Sequence, residues 1–519
     1  MEYYNFLVIS LCALFYTLIL QAKELQMLQQ NSYRNTRYLK WLKKNALTFS
    51  RICDTVLLAL LFIFKNYPVI FYLAAIYFLI KGIIAIRKKS KKPLVFTARA
   101  KRLYGTSIVL IIIIALIAYF TTDIGYTIIC LTGATVLSFG ILLVSNILLI
   151  PCEKSVNRWY YNDAKRILNS MPDLTIIGIT GSYGKTSTKH FLHTILSEKY
   201  NVLMTPGSYN TTLGVIRTIR EQLKSYHNIF IVEMGAKQTG DIKEICDLVN
   251  PSIGIITAIG EQHLETFKTI TNIQKTKFEL IDALPRNGLA VLNNDFEYIA
   301  NREVDHVKQV LRYSYNNPKT SFYLNDINYD FLGSHFSIQG KITIPDINAH
   351  VLGEYNLSNI LAATIVALHL NMTIPEIRYG INKIQPVEHR LSIRHMQGDI
   401  TILDDAFNSN PHGSAMALNV IRNFKNQRII ITPGMIELGT KQYFYNNRLG
   451  QQIAESCDYA IIVGKYNQEA IVNGLKEKNF PEEKYFLAAN LNEAVKQMQS
   501  IVRKGDVILY ENDLPDTFK

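Results

Sequence analysis

The chain has 519 residues, 48 % apolar and only 19 % charged, below the usual quarter for a soluble protein. Its formal charge of +13 is confined to one end: residues 1–150 hold 17 Lys/Arg against 4 Asp/Glu, while the remaining 369 hold 38 of each. Length implies about three domains, composition excludes a disordered or collagen-like chain, and excess charge in the apolar third points to membrane loops rather than nucleic acid. The six cysteines include no CxxC pair, so neither a zinc ribbon nor a disulfide framework is expected.

Residues 3–20 are uncharged and about long enough to span a bilayer. No basic residues precede them and no small-residue cleavage site follows, so an anchor is expected rather than a signal peptide. Further apolar stretches lie at 48–64, 67–86, 106–122 and 125–150. The stretch at 48–64 starts with Arg51 and Asp54, and its alternative is a re-entrant or interfacial segment. Basic residues crowd 22–52 and 87–102, whereas the connections near 65–68 and 121–124 are short and nearly uncharged. Positive-inside then predicts five helices, an outside N-terminus and cytoplasmic delivery of everything after 150. The spans show no paired charges in sequence, Asp54 being the one obvious acid near them, so an ATP-driven transporter lacks support.

After Pro151, β-branched runs alternate with amphipathic stretches. Strands are predicted at 175–180, 229–233, 253–258, 290–293, 401–404, 429–432, 459–463 and 507–510. The alternation predicts α/β domains with parallel sheets. Residues 320–348, with Gly333, Gly340 and Pro345, read as an antiparallel flap. The expected organisation is a transmembrane region 1–150, an ATP-binding domain 151–385 and a C-terminal Rossmann-like domain 386–519, with Pro386 at the second boundary.

The strongest chemical signal is Thr180-Gly181-Ser182-Tyr183-Gly184-Lys185-Thr186, a strand running through glycines into a helix. Such glycines let the backbone fold so that its N–H groups face phosphate oxygens. Lys185 can reach the β/γ-phosphates and the Thr186 hydroxyl can ligate Mg²⁺. Ile179 stands where a full Walker A motif has its first glycine, so the pattern is T-G-x-x-G-K-T. Glu233 ends one expected strand and His263 follows the next. In open α/β sheets, ligands collect beyond the carboxyl ends of strands, so both become candidate magnesium ligands.

These motifs resemble the Mur ligase family, most nearly its MurF type, which adds D-alanyl-D-alanine. The likeness covers roughly 165–515. It continues through Tyr209-Asn210-Thr211-Thr212-Leu213-Gly214, the segments around Glu233 and His263, Gly353-Glu354-Tyr355-Asn356-Leu357-Ser358-Asn359, Glu388-His389-Arg390-Leu391, and 402–418. The resemblance implies ATP and Mg²⁺, an acyl-phosphate reaction, and a cell-wall precursor and an amino-acid or dipeptide amine as partners. It implies that Lys277 matches the lysine many members carry as a magnesium-bridging carbamate. Lys275 is its near competitor, and an ordinary surface lysine is the alternative. Asn293, Asn294 and Asp295 resemble nucleotide contacts, and Asn356 and Asn359 adenine or ribose contacts. Arg390 resembles the C-terminal arginine that reaches phosphate. Asp404, Asp405, Asn408, Asn410 and Pro411 resemble the segment that closes on nucleotide and amine. With Gly181, Ser182, Gly184, Lys185 and Thr186 these form the expected site, in which Lys185, Lys277, His263 and Arg390 carry catalysis and Thr186, Glu233, His263 and Lys277 hold metal.

Two departures bear on substrate. Apolar spans stand where the family has its UDP-binding domain, which puts a soluble UDP-linked acceptor in doubt, makes a lipid-linked one credible and leaves the two open. Residues 432–439 lack the acid of the MurF pattern L-G-D-M-x-E-L-G, which leaves the amine open. The alternative to an enzyme is an inactive nucleotide-binding scaffold for envelope enzymes.

Overall fold

The computed structural model describes residues 2–45, 48–87, 92–121, 124–262, 264–329, 333–388, 390–396, 399–406 and 409–513. Two compact units emerge, Met1–Arg158 and Trp159–Leu514.

The first unit is helical throughout its described elements: Glu2–Gln30, Asn35–Asn45, Phe49–Ile63, Pro68–Arg87, Ala98–Thr121, Ile124–Val136 and the start of Ser138–Asn169. Among the described residues four segments are long and apolar enough to cross a membrane: Val8–Gln30, Pro68–Arg87, Ala98–Phe120 and Ser138–Asn169. The five expected spans become four plus two shorter helices. Phe49–Ile63 has 15 residues, about 22 Å of helix against a hydrocarbon core of about 30 Å. The stretch expected as one span at 125–150 breaks at Leu137. The last helix continues through Pro151 to Asn169, well past the expected boundary at 150.

Side chains within this unit correct the expectation of unpaired charge. Asp54 accepts Tyr16 Oη at 3.1 Å and Tyr77 Oη at 2.6 Å, with Lys81 Nζ 3.8 Å away. Glu24 pairs with Arg51 at 2.5 Å, and Glu153 takes Arg102 in a two-pronged contact at 2.7 and 2.9 Å. These partners lie on different helices, so sequence distance concealed them. Burying a charged group without such partners is costly.

In the second unit, runs of isoleucine and valine favour strands because branched side chains pack well on a pleated surface. The strands are β1 (Thr175–Thr180), β2 (Val202–Met204), β3 (Ile229–Glu233), β4 (Ile253–Ile256), β5 (Leu289–Asn293), β6 (Gln309–Ser314), β7 (Phe322–Tyr329), β8 (Ser334–Gly340) and β9 (Ile344–Ala349). They form one sheet in the order β2-β3-β1-β4-β5-β6-β7-β8-β9. Pairing is parallel from β2 to β7 and antiparallel for β7-β8 and β8-β9. The sheet is therefore mixed, and the expected flap is its far edge rather than a separate element. Only three residues join β8 to β9, too few for the crossover that parallel strands require.

Helices Lys185–Leu196 and Glu354–His369 bury Phe191, Leu192, Ile195, Leu357, Ile360 and Leu361 on one face of this sheet. Helices Thr212–Gln222, Asp241–Val249 and Ile270–Asp282 cover the other. Each large apolar side chain so buried contributes about 1.5–3 kcal/mol against leaving it in water.

A second sheet follows: β10 (Ser392–Met396), β11 (Ile400–Asp405), β12 (Arg428–Thr432), β13 (Tyr459–Val463), β14 (Tyr485–Ala488) and β15 (Val507–Glu511), in the order β10-β11-β15-β12-β13-β14. Only β10 runs antiparallel. Helices Gln442–Ser456 and Gln468–Glu477 cross at Gly450 and Gly474. A methyl group at either would strike the backbone of the opposite helix. Strands β2, β6, β10 and β14 were not expected. They are short or carry polar residues, and pairing with neighbours decides them more than their own composition does.

Candidate active site

β1 ends at Thr180 and the chain turns through Gly181 (φ +156°) to Gly184 (φ +78°), where helix Lys185–Leu196 begins. Both glycines are required. A Cβ at Gly181 would collide with Thr257 Oγ1, and one at Gly184 would stand 2.7 Å from Asn359 Oδ1. β4 and its extension brace the turn: Ser182 N donates to Ala258 O at 2.7 Å, Ser182 Oγ to Gly260 O at 3.0 Å, and Thr257 Oγ1 to Tyr183 O. The first amides of a helix have no acceptor within it. The braced turn thus presents N–H groups and the positive end of a helix dipole to an anion.

Lys185 curls back over this turn, donating to Gly181 O at 2.6 Å and Ser182 O at 3.3 Å. Burial lowers its ammonium to about 8, Glu233 opposing and Arg390 adding to the effect. Glu233, at the end of β3, is fully buried. Its Oε1 accepts Asn210 Nδ2 at 3.0 Å, and its Oε2 lies 3.0 Å from Lys189 Nζ. That second approach is an ion contact without a directed hydrogen bond. Burial alone would raise the Glu233 carboxyl, but Lys189, Lys185 and Asn210 hold it below its ordinary value. Lys277 is buried on helix Ile270–Asp282. Burial, with Lys185 adding, pushes its ammonium well down, against the pull of Glu279, Asp241 and Glu233. Arg390 is lowered by burial and drawn toward Asp405 and Glu233.

Lys185, Lys277, Glu233 and Arg390 are thus brought together from four segments, with Asn359 against the turn. Asn293 joins through Thr257 O at 2.8 Å and Ser358 Oγ at 3.2 Å. Other expected residues have local duties. Asn294 accepts Arg312 Nη1 at 3.2 Å, Asp295 accepts Tyr315 N at 2.9 Å, Asn356 donates to Leu352 O at 2.9 Å, and Asp404 accepts Ala406 N at 3.3 Å. His263 and Asn408, like His389 of the quoted motif, lie outside the described residues.

The site also contains residues that sequence reasoning left unassigned. Lys189 is the chief one. It stands four residues after Lys185 and therefore on the same helix face, a signal that was legible. Tyr183 sits with its ring 5.6 Å from His412 and near Phe296. Glu261 accepts Lys441 Nζ at 2.6 Å and Tyr445 Oη, joining the two sheets' segments. Those partners are about 180 residues apart in sequence, and no spacing rule would have paired them.

The donor set suits a magnesium triphosphate. Lys185, Lys189 and Arg390 lie near Glu233, a surplus of positive charge that a polyanion would neutralise. The turn can pack against Thr257 and Asn359 only because Gly181 and Gly184 lack side chains. Mg²⁺ is commonly held by one or two carboxylates together with substrate phosphates, and Thr186 and Glu233 offer a hydroxyl and a carboxylate. Among the described residues no group of three or more His, Cys, Asp and Glu lies together.

The Mur ligase middle domain matches residues 179–367, and the Mur ligase glutamate ligase domain matches 389–510. The chain belongs to the Mur ligase superfamily. It is an ATP-dependent ligase of the Mur type, with both catalytic domains present. This Mur ligase is similar to the UDP-N-acetylmuramoyl-tripeptide–D-alanyl-D-alanine ligase of Buchnera aphidicola, 29 % identical over 60 % of this chain and 68 % of the relative. It is also similar to the enzyme of that name from Escherichia coli, 26 % identical over 70 % and 82 %. Among solved structures, MurF from Acinetobacter baumannii shares its fold at a TM-score of 0.62, with 24 % identity over 68 % of this chain and 77 % of that one. MurF from Thermotoga maritima, solved with ADP, does so at 0.60, with 24 % identity over 69 % and 80 %.

Proposed function

We propose that this Mur ligase is membrane-anchored and joins a carboxylate of a peptidoglycan-type precursor to the amine of an amino acid or dipeptide through an acyl phosphate, as a MurF-like enzyme. The observation that carries the reading is the phosphate turn with the cations Lys185, Lys189 and Arg390 near Glu233 and the buried Lys277 beside them, inside a chain with both Mur ligase domains. That assembly favours an enzyme over a non-catalytic scaffold.

In this reading Lys185 leaves its own loop carbonyls for the β/γ-phosphates, and the turn amides take phosphate oxygens. Thr186 and Glu233, with His263, would hold magnesium, which would supply neutralisation of the triphosphate charge. Lys277, as its carbamate, would offer a further anionic ligand. Asn293, Asn294, Asp295, Asn356, Asn359, Asp404 and Asn408 surround the nucleotide. A substrate carboxylate oxygen bonds to the γ-phosphorus while the bond to ADP breaks. The incoming amine then attacks the acyl carbon, loses a proton, and releases phosphate. Lys185 and Arg390 offset the charge that develops on the transferring group. The segment after β11 meets the amine and closes over the anhydride to exclude water.

The domains in this reading are 1–150, 151–385 and 386–519. Apolar helices precede the ATP-binding domain, which makes a lipid-linked acceptor at the membrane surface credible beside a UDP-linked one. The basic segments 22–52 and 87–102 can share the cytoplasmic face only if Phe49–Ile63 crosses despite its length. The reading therefore keeps five crossings, an outside N-terminus and cytoplasmic catalytic domains.

The test is mass spectrometry of products formed by membranes given ATP, labelled amino acids or dipeptides, and either UDP-linked or lipid-linked muropeptides. A new amide on the lipid-linked acceptor supports the reading. ATP binding with no amide on either acceptor overturns it.

A further inference from the structure

β11 and β15 end side by side, with Asp405 in register with Glu511 on the parallel ladder. Glu511 is fully buried. Its Oε1 accepts Ser409 Oγ at 2.5 Å and Ser414 Oγ at 2.7 Å, whereas its buried Oε2 accepts no hydrogen bond. The next residue, Asn512, adopts φ +69°. Its N–H donates to Asp405 O at 3.2 Å, its Oδ1 accepts Ser409 N at 3.4 Å, and its Nδ2 donates to Gly434 O at 2.6 Å. Asp405 in turn accepts Leu391 N at 3.1 Å, next to Arg390. Two consecutive residues at the end of β15 therefore fasten the segments that leave β11 and β12, and through Asp405 the segment that carries Arg390.

We infer that Glu511 is a positioning residue: with Asn512 it holds residues 409–414 at the carboxyl ends of the sheet, in the segment the ligase reading gives to the amine. Only the amine's place rests on that reading; the fastening stands without it.

The chemistry of the pair fixes the form Glu511 takes. Two adjacent buried carboxylates cannot both ionise cheaply. Asp405 has the Arg390 guanidinium as counter-charge, while Glu511 is met by hydroxyls alone. The titratable groups facing the pair are Asp405 and Asp404 from β11 and Arg390 from the segment before β10; helix Pro411–Arg422 contributes the Ser414 hydroxyl. Burial, with Asp405 adding, pushes the Glu511 carboxyl well up, so it keeps its proton at neutral pH. Losing that proton to solvent at alkaline pH places a second negative charge beside Asp405 and loosens the clasp.

Hydrogen–deuterium exchange of the full chain in detergent tests this without any ligation assay, with rates in 409–416 corrected for intrinsic exchange. Wild type should protect the segment at about pH 6.5 and lose about tenfold of that protection at about pH 9.5. Glu511→Gln keeps the Oε1 acceptor and has no proton to lose, so it should stay protected at both. Glu511→Ala should be unprotected at both. Wild-type protection that ignores pH overturns the proposal, as does Glu511→Ala protection equal to wild type. If Glu511→Ala fails to fold, wild type and Glu511→Gln still decide. Absence of product in the muropeptide assay would count against the ligase reading alone.

Discussion

Lys189 Nζ lies 3.0 Å from Glu233 Oε2, with both side chains sealed from solvent. Lys189 also donates to Gly207 O at 2.6 Å, so one ammonium ties the phosphate helix, the end of β3 and the loop after β2. Burial lowers Lys189 as well as opposing ionisation of Glu233. The intact pair is therefore close to neutral for stability, while either partner left alone is expensive.

Lys189→Met should accordingly destabilise by about 3–5 kcal/mol, and adding Glu233→Gln should recover much of that loss. Denaturant melts of the four proteins in the cycle measure it; additive losses would contradict the pairing.

The sign of the acid response follows from the same contact. Glu233 has a folded value held below the unfolded 4.5. Its contribution is present above 4.5 and lost as the pH falls through the lower folded value. Wild type should lose stability in that acid window, and Glu233→Gln should show a flatter acid limb in thermal melts.

Lys185 sets an alkaline limit. Burial lowers its ammonium to about 8, and only the charged form pairs with phosphate. Affinity for a non-hydrolysable ATP analogue should weaken above pH 8, approaching about tenfold per unit. Lys185→Ala should cost roughly a hundredfold or more in turnover. Calorimetry and ATP-consumption assays read these two effects, and retained turnover in the variant would remove Lys185 from the mechanism.

Burial pushes the Lys277 ammonium far down, which favours the neutral amine, the form that can add carbon dioxide. Native mass spectrometry in bicarbonate should show one added carbon dioxide, absent from Lys277→Arg. Activity should fall when bicarbonate is removed and return on its addition.

The Glu261–Lys441 bridge is partly exposed, at 24 % and 49 % of the side chains. Solvent screening limits it to about 1 kcal/mol or less. Glu261→Gln should hardly change the melting temperature. It should increase exchange in 439–445, because Tyr445 loses its charged acceptor in the same step.

Local rules carried much of this molecule. Thr180 to Thr186 read as a phosphate turn because glycine conformation, a lysine and a helix start are all local properties. Strands such as 229–233 and 459–463 were legible because continuous β-branched runs favour strand wherever they lie, and the long apolar runs announced themselves by length alone. What the chain could not reveal in one dimension was pairing. Asp54 finds Lys81, Glu233 finds Lys189, and Asp405 finds Glu511 only when separate helices and strands are laid together. Burial and counter-charge, which decide a group's protonation, are properties of that assembly and not of any residue's neighbours in sequence. The antiparallel character of 320–348 was legible as well, and only its place at the far edge of the first sheet, beside β6, was settled by the assembly.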